Sequence, residues 1–161
     1  MKHTRLLSRR PILGYSLIEL MVVVSITSLL AALGAPSLKS YTDAQRMRSV
    51  SYDMVSDLLL ARSEALKRGA TVQVVPAGGS WVGGWRVLLA SGQQQISQRN
   101  TVGGGVQVTS APASVSFDLN GRVISNGAVV RFALSDGGQR RRCISLDPSG
   151  RPRSTTQECP V

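Results

Sequence analysis

The stretch Gly14-Tyr15-Ser16-Leu17-Ile18-Glu19-Leu20 lies in an apolar run, residues 12–35, that reads ILGYSLIELMVVVSITSLLAALGA and carries one charge, Glu19. Counted over 15–35, its 21 residues make a helix of about 31 Å at about 1.5 Å per residue, close to the thickness of a hydrocarbon core. The flank before it holds Lys2, Arg5, Arg9 and Arg10 and no acid. The first residues are therefore expected to stay in the cytoplasm while the rest is exported. A conventional export signal has its small-residue cleavage site after the apolar stretch, whereas Gly14 comes before it. Composition alone thus reads as an uncleaved signal anchor. Glu19 needs its own explanation, because a carboxyl inside an apolar helix costs about 2.5–3.5 kcal/mol. It is expected either to find a partner or to snorkel to the nearby cytoplasmic interface.

Residues 14–20 resemble the prepilin signature of type IV pilins and type II secretion pseudopilins. In that signature a glycine precedes an aromatic or hydrophobic residue, and a glutamate follows five positions into the mature chain. The resemblance implies cleavage after Gly14 by a prepilin peptidase and N-methylation of Tyr15, where phenylalanine is the commoner residue. It also implies that Glu19 pairs with the α-amino group of a neighbouring subunit, setting axial register as subunits leave the inner membrane and join the major and minor pilins of a filament.

Pro36 interrupts the helical pattern, and a kink is expected there because proline removes a donor and clashes with the preceding turn. Apolar residues resume at Met47, Val50, Met54, Leu58, Ala61 and Ala65, spaced 3, 4, 4, 3 and 4. Arg46, Arg48, Asp53, Asp57, Arg62 and Lys67 mostly take the other faces, which makes the segment an amphipathic helix. Lys67 and Arg68 suit the negative end of its dipole, and Gly69 can take the left-handed conformation that stops it.

Beyond Gly69 come short β-branched runs at 71–75, 85–89, 106–109, 114–118, 128–134 and 142–146. Turn signals such as Asn120-Gly121, Asn126-Gly127 and Ser149-Gly150 separate them, so antiparallel strands are expected. No internal repeat is apparent. The fold class is α+β, and the resemblance makes it the type IV pilin fold, a long kinked N-terminal helix packed on a small antiparallel β-sheet domain. The expected parts are a cleaved leader 1–14, a membrane or filament-core helix 15–35, an amphipathic helix 36–69 and an exported β domain 70–161.

Further strings narrow the resemblance. Residues 61–65 (ARSEA), 81–87 (WVGGWRV), 120–122 (NGR) and 143–153 (CISLDPSGRPR) are similar to the FimT/GspH group of minor pilins and pseudopilins, over nearly the full length. Structural roles are expected for Trp81 and Trp85, packing the sheet, and for Arg62, holding a local ion pair.

Composition removes other classes. Lys+Arg 19 against Asp+Glu 9 gives a net charge of +10, which calls for a polyanionic partner or an anionic membrane surface. Without the four leader bases 15 remain against 9 acids, still an excess. The single histidine is His3 and the two cysteines are Cys143 and Cys159. A His-based triad and a four-ligand Cys/His zinc site are thereby excluded. A membrane-anchored periplasmic enzyme finds no Ser/Lys or paired-carboxylate constellation either, and no catalytic residue, metal or cofactor is expected. In an exported domain the two cysteines point to one disulfide, Cys143 to Cys159, contributing about 3 kcal/mol in the loop-entropy model. Two unpaired thiols are the alternative.

Arginines gather near the C-terminus, with Arg140, Arg141 and Arg142 entering a strand and Arg151 and Arg153 flanking Pro152. These five bases fall within fourteen residues against one acid, Asp147. Arginine's planar fork suits phosphate, an extended backbone would aim Arg151 and Arg153 to one side, and Gly150 permits close approach. A solvated basic strand face is the bland alternative. Gly150-Arg151-Pro152-Arg153 resembles the Gly-Arg-x-Arg motif of FimT-like minor pilins, which implies double-stranded DNA as a partner during natural transformation. Three functions compete at this point: a DNA-capturing minor pilin, a structural minor pilin or pseudopilin that primes filament assembly, and the disfavoured enzyme. In the pilin readings the chain is a single-pass inner-membrane protein, N-terminus in the cytoplasm and C-terminal domain in the periplasm, before assembly into an extracellular filament.

Overall fold

The three-and-four spacing of apolar residues is realised in a long helix, α1 (Leu17–Arg68). The computed structural model describes residues 14–91, 94–138 and 140–160, the side chains of 33–37 excepted, so the basic leader lies outside the described residues. Pro36 does not end the helix. The chain divides into two compact units, Met1–Lys39 and Ser40–Val161.

In the first unit, the hydroxyls of Ser25, Thr27 and Ser28 donate to the carbonyls of Met21, Val23 and Val24 at 2.7, 2.8 and 2.6 Å. Each of these three hydroxyls is thereby satisfied within its own helix, as a water-poor setting requires. Among the described residues no helix is long and apolar enough to cross a membrane. The described side chains of the apolar stretch, 17–32, amount to about 24 Å of helix against a core of about 30 Å, and the apolar sequence continues to Ala35.

In the second unit, Met47, Met54, Leu58, Ala61 and Ala65 are at most 2% exposed, and Val50 is half-buried against them. The helix stops where its sequence says it should. Gly69 takes φ +59°, and the N–H of Ala70 returns to the carbonyl of Ala65 at 3.3 Å, satisfying a helix-end acceptor.

The strands are β1 (Val72–Ala77), β2 (Ser80–Leu89), β3 (Gln95–Arg99), β4 (Gln107–Ser110), β5 (Val115–Phe117), β6 (Val130–Ser135), β7 (Arg141–Leu146) and β8 (Pro152–Thr155). Among the described residues they form two four-stranded antiparallel sheets, ordered β3-β2-β1-β5 and β4-β6-β7-β8, where a single small sheet was expected. β2 begins five residues before the expected run at 85, because Gly83-Gly84 continues the strand rather than turning it. The backbone of Arg99 and Asn100 passes so close to Gly84 that a Cβ there would strike the Arg99 carbonyl, the reason glycine sits inside this strand. β6 begins at Val130 rather than at residue 128.

Trp81 and Trp85 pack as expected. The Trp81 ring meets Phe132 edge-on at 4.9 Å, joining β2 of one sheet to β6 of the other, and its indole N–H donates to the Pro112 carbonyl at 2.7 Å. The ion pair expected of Arg62 is absent among the described residues. Glu64 is taken instead by Arg68 at 2.6 Å and Lys67 at 3.7 Å, partners one helical turn away.

Candidate nucleic-acid interface

Residues 147–151, Asp147-Pro148-Ser149-Gly150-Arg151, join β7 to β8. Asp147 organises the turn. Its Oδ1 accepts from the Ser149 hydroxyl at 2.6 Å and the Arg151 backbone N–H at 3.0 Å, and the N–H of Gly150 donates to its carbonyl at 2.9 Å. The Ser149 bond first, then the Arg151 N–H, holds the Asp147 carboxyl below its ordinary range. Gly150 is buried at φ +79°, and a Cβ there would run into the Gly121 carbonyl.

Ser145 pairs with Arg153 and Leu146 with Pro152. The N–H of Asp147 extends this ladder to the Arg151 carbonyl at 3.4 Å. Alternation then puts Arg151 and Arg153 on one face, and both are exposed. Ser145 also faces Arg131 of β6, so Arg131, Ser145 and Arg153 make a row across three strands. Two strand spacings separate the arginine backbones by about 10 Å. Sequence reasoning missed Arg131, whose one signal is its outward position between the inward-facing Val130 and Phe132. Among the described residues, Arg131, Arg151 and Arg153 form no ion pair.

Arg140, Arg141 and Arg142 are at the other end of β7, about 17 Å of strand away, and each is engaged within the fold. Arg140 Nη1 is 3.4 Å from Asp136 Oδ2. Arg141 Nη1 donates to the Ser135 hydroxyl at 2.7 Å and the Gly138 carbonyl at 3.2 Å, and its Nε is 3.9 Å from Glu158. Arg142 Nη1 donates to the Ser154 hydroxyl at 3.3 Å. The five bases are thus two groups, one free at a turn and one partnered. Cys143 and Cys159 form a disulfide, 16 residues apart with a Cα separation of 4.9 Å, which ties the C-terminal tail to β7.

At the other end of the chain, Gly14 and Tyr15 precede α1, with nothing within 4 Å of a Cβ on Gly14 and Tyr15 87% exposed. Glu19 is exposed in the first turn of α1, where the helix dipole favours a negative charge.

A family model described as type II transport protein GspH matches residues 52–150. The chain belongs to the GspH family. The model for the prokaryotic N-terminal methylation motif matches residues 9–35. Two crystal structures of the type IV minor pilin FimU of Pseudomonas aeruginosa (strain PAO1) resemble this GspH-family chain. One is 21% identical over 73% of this chain and 92% of its own, with a TM-score of 0.58. The other is 22% identical over 67% and 91%, with a TM-score of 0.56. At that identity the likeness carries the fold, which is the type IV pilin fold. No curated protein matches the chain. This member of the GspH family is a minor pilin or pseudopilin, a structural protein by family, and the methylation motif with the pilin fold implies prepilin peptidase processing and assembly with other pilins.

Proposed function

We propose that this GspH-family chain is a minor pilin of a type IV pilus that captures extracellular duplex DNA without sequence preference, for uptake in natural transformation. In this reading prepilin peptidase cuts after Gly14 and Tyr15 is methylated. The chain then waits in the inner membrane, N-terminus in the cytoplasm and β domain in the periplasm, until Glu19 pairs with a neighbouring subunit's amino terminus.

The observation that carries the DNA reading is the β7–β8 turn, where Arg151 and Arg153 are exposed on one face, share it with Arg131, and form no ion pair among the described residues. Arginine's fork meets phosphate bidentately, and each phosphate neutralised releases counterions, so affinity falls steeply with salt. The exposed aromatic side chains are Tyr15, before α1, and Tyr41 and Tyr52 on α1, away from this turn in sequence and element. Contact is therefore with the backbone rather than with stacked bases.

A structural subunit that primes filament assembly is the second reading, and the internal partners of Arg140, Arg141 and Arg142 favour it for those three. Duplex binding by the full chain in nonionic detergent, beside an Arg151→Ala/Arg153→Ala variant, separates the two. Loss of binding in the variant supports capture, and equal binding by both leaves a structural subunit.

A further inference from the structure

Two turns in this fold share one construction. In residues 118–122, Asp118-Leu119-Asn120-Gly121-Arg122, the Asp118 Oδ1 accepts from the N–H groups of Asn120 at 2.9 Å and Arg122 at 2.8 Å. The Gly121 N–H donates to the Asp118 carbonyl at 2.9 Å, and the Asp118 N–H donates to the Arg122 carbonyl at 2.8 Å. Asp147, Gly150 and Arg151 make the same three links, and the glycines match at φ +70° and +79°. Each turn reads Asp-x-x-Gly-Arg. Each is closed by an antiparallel pair, Phe117 with Val123 and Leu146 with Pro152.

The two turns touch each other. The Val123 N–H donates to the Pro148 carbonyl at 3.2 Å, and the Gly121 carbonyl occupies the space beside Gly150 that a Cβ would need. Both glycines lie against the stem of Arg62 on α1. Arg62 Cγ is 3.1 Å from a Cβ position on Gly121, and its Cδ and Nε are 3.3 Å from one on Gly150. The strings at 61–65, 120–122 and 150–153 thus meet in one place.

Charge at this seam is unbalanced. Arg62 Nε is buried without a hydrogen-bond partner, and among the described residues neither Arg62 nor Arg122 forms an ion pair. The nearby carboxylates, Asp118 and Asp147, turn Oδ1 to the N–H groups of their own turns, which leaves these two acids against three bases, Arg62, Arg122 and Arg151. A half-buried guanidinium beside two exposed arginines is chemistry that a phosphate completes. Since the turn N–H groups are already satisfied, the contact falls to the side chains.

We infer that this seam is a second phosphate-binding subsite, at which Arg122 and Arg62 engage the DNA backbone beside Arg151; the inference rests on the DNA reading above. Arg122 and Arg151 each follow a glycine of the touching pair, which keeps their Cα atoms within about 14 Å. Two arginine side chains at that separation can reach phosphates on both sides of a groove about 6 or about 12 Å wide.

The test is a salt series of binding to random-sequence duplex by the full chain in nonionic detergent. Two variants are compared with wild type: Arg122→Gln, which leaves the turn's backbone bonds in place, and Arg62→Met, which keeps the packed stem without its charge. Each is expected to reduce the slope of log affinity against log salt by about 0.9, which is about eightfold weaker binding at 0.1 M salt, converging near 1 M. Unchanged melting temperature would show that Arg122→Gln folds. Wild-type slopes in both variants, with binding still lost in Arg151→Ala/Arg153→Ala, would overturn the subsite and leave the DNA reading standing. Absence of duplex binding by wild type would overturn both.

Discussion

The indole N–H of Trp85 and the Nε–H of Arg99 both donate to one oxygen, Oδ2 of Asp57, at 2.8 Å each. Asp57 is 3% exposed on α1, so β2 and β3 meet the helix at one buried carboxylate, and Arg99 Nη1 also lies 3.5 Å from Asp53 Oδ1 of the same helix. Asp57→Ala leaves the buried Trp85 indole without an acceptor and Arg99 with Asp53 alone, and with Arg99 half in solvent the expected loss is about 3 kcal/mol. Trp85→Phe removes one charge-assisted bond and should cost about 1.5–2 kcal/mol. Urea denaturation of the two variants checks the order, and a neutral Asp57→Ala would show that the carboxylate fastens nothing.

Gly150 and Gly105 separate backbone strain from collision. Both have φ near +78°, at +79° and +77°, but nothing lies within 4 Å of a Cβ on Gly105, whereas one on Gly150 meets the Gly121 carbonyl. Gly105→Ala should cost about 1 kcal/mol through the left-handed conformation. Gly150→Ala should cost more and weaken DNA binding as well, because it pushes the two turns apart. Equal melting temperatures for the two variants would contradict the close approach.

How much of this was legible follows from what each signal needs. The buried face of α1 is written in Met47, Met54, Leu58, Ala61 and Ala65, and burial of an apolar stripe needs no knowledge of the partner. Asp57 was not legible as a buried group, since its donors come from Trp85 and Arg99, 28 and 42 residues away. β3 and β8 were missed because their sequences, QISQR and PRST, are polar or begin with proline and take their order from neighbouring strands. Of the site, the common face of Arg151 and Arg153 followed from their spacing. The separation of Arg140, Arg141 and Arg142 from them, and the addition of Arg131, depend on strand register. The twin turns share only Asp, Gly and Arg in five residues, too little to stand out as a repeat before hydrogen bonds are seen.

Acid should loosen the fold from two named places. Glu64 is held below its ordinary value, first by the Arg68 hydrogen bond against the opposing effect of desolvation, and Asp147 first by the Ser149 hydroxyl. A carboxyl more acidic in the folded than in the unfolded chain stabilises above its unfolded pKa and loses that contribution as pH falls through the folded one. Stability is expected to be level above about pH 5 and to decline below about pH 4. Asp147→Asn should remove part of the decline. Thermal melts between pH 3 and pH 6 test this, and a fold that strengthens on acidification would contradict it.

Processing and assembly separate at two residues. Substitution of Gly14 should leave an unprocessed precursor, seen by mass spectrometry as the full chain with its leader. Glu19→Ala should spare processing and membrane insertion but reduce the subunit's amount in pili sheared from cells. Undiminished incorporation would remove the pairing role given to Glu19.

The most direct test of the central claim is the salt dependence of duplex binding by the full chain in nonionic detergent, measured by fluorescence anisotropy beside Arg151→Ala/Arg153→Ala. With about three to five phosphates engaged, log affinity should fall against log salt with a slope of about −3 to −4, and the variant should lose about 2 of that slope. Identical slopes and affinities for the two proteins would contradict DNA capture at the β7–β8 turn and leave a basic but structural pilin subunit.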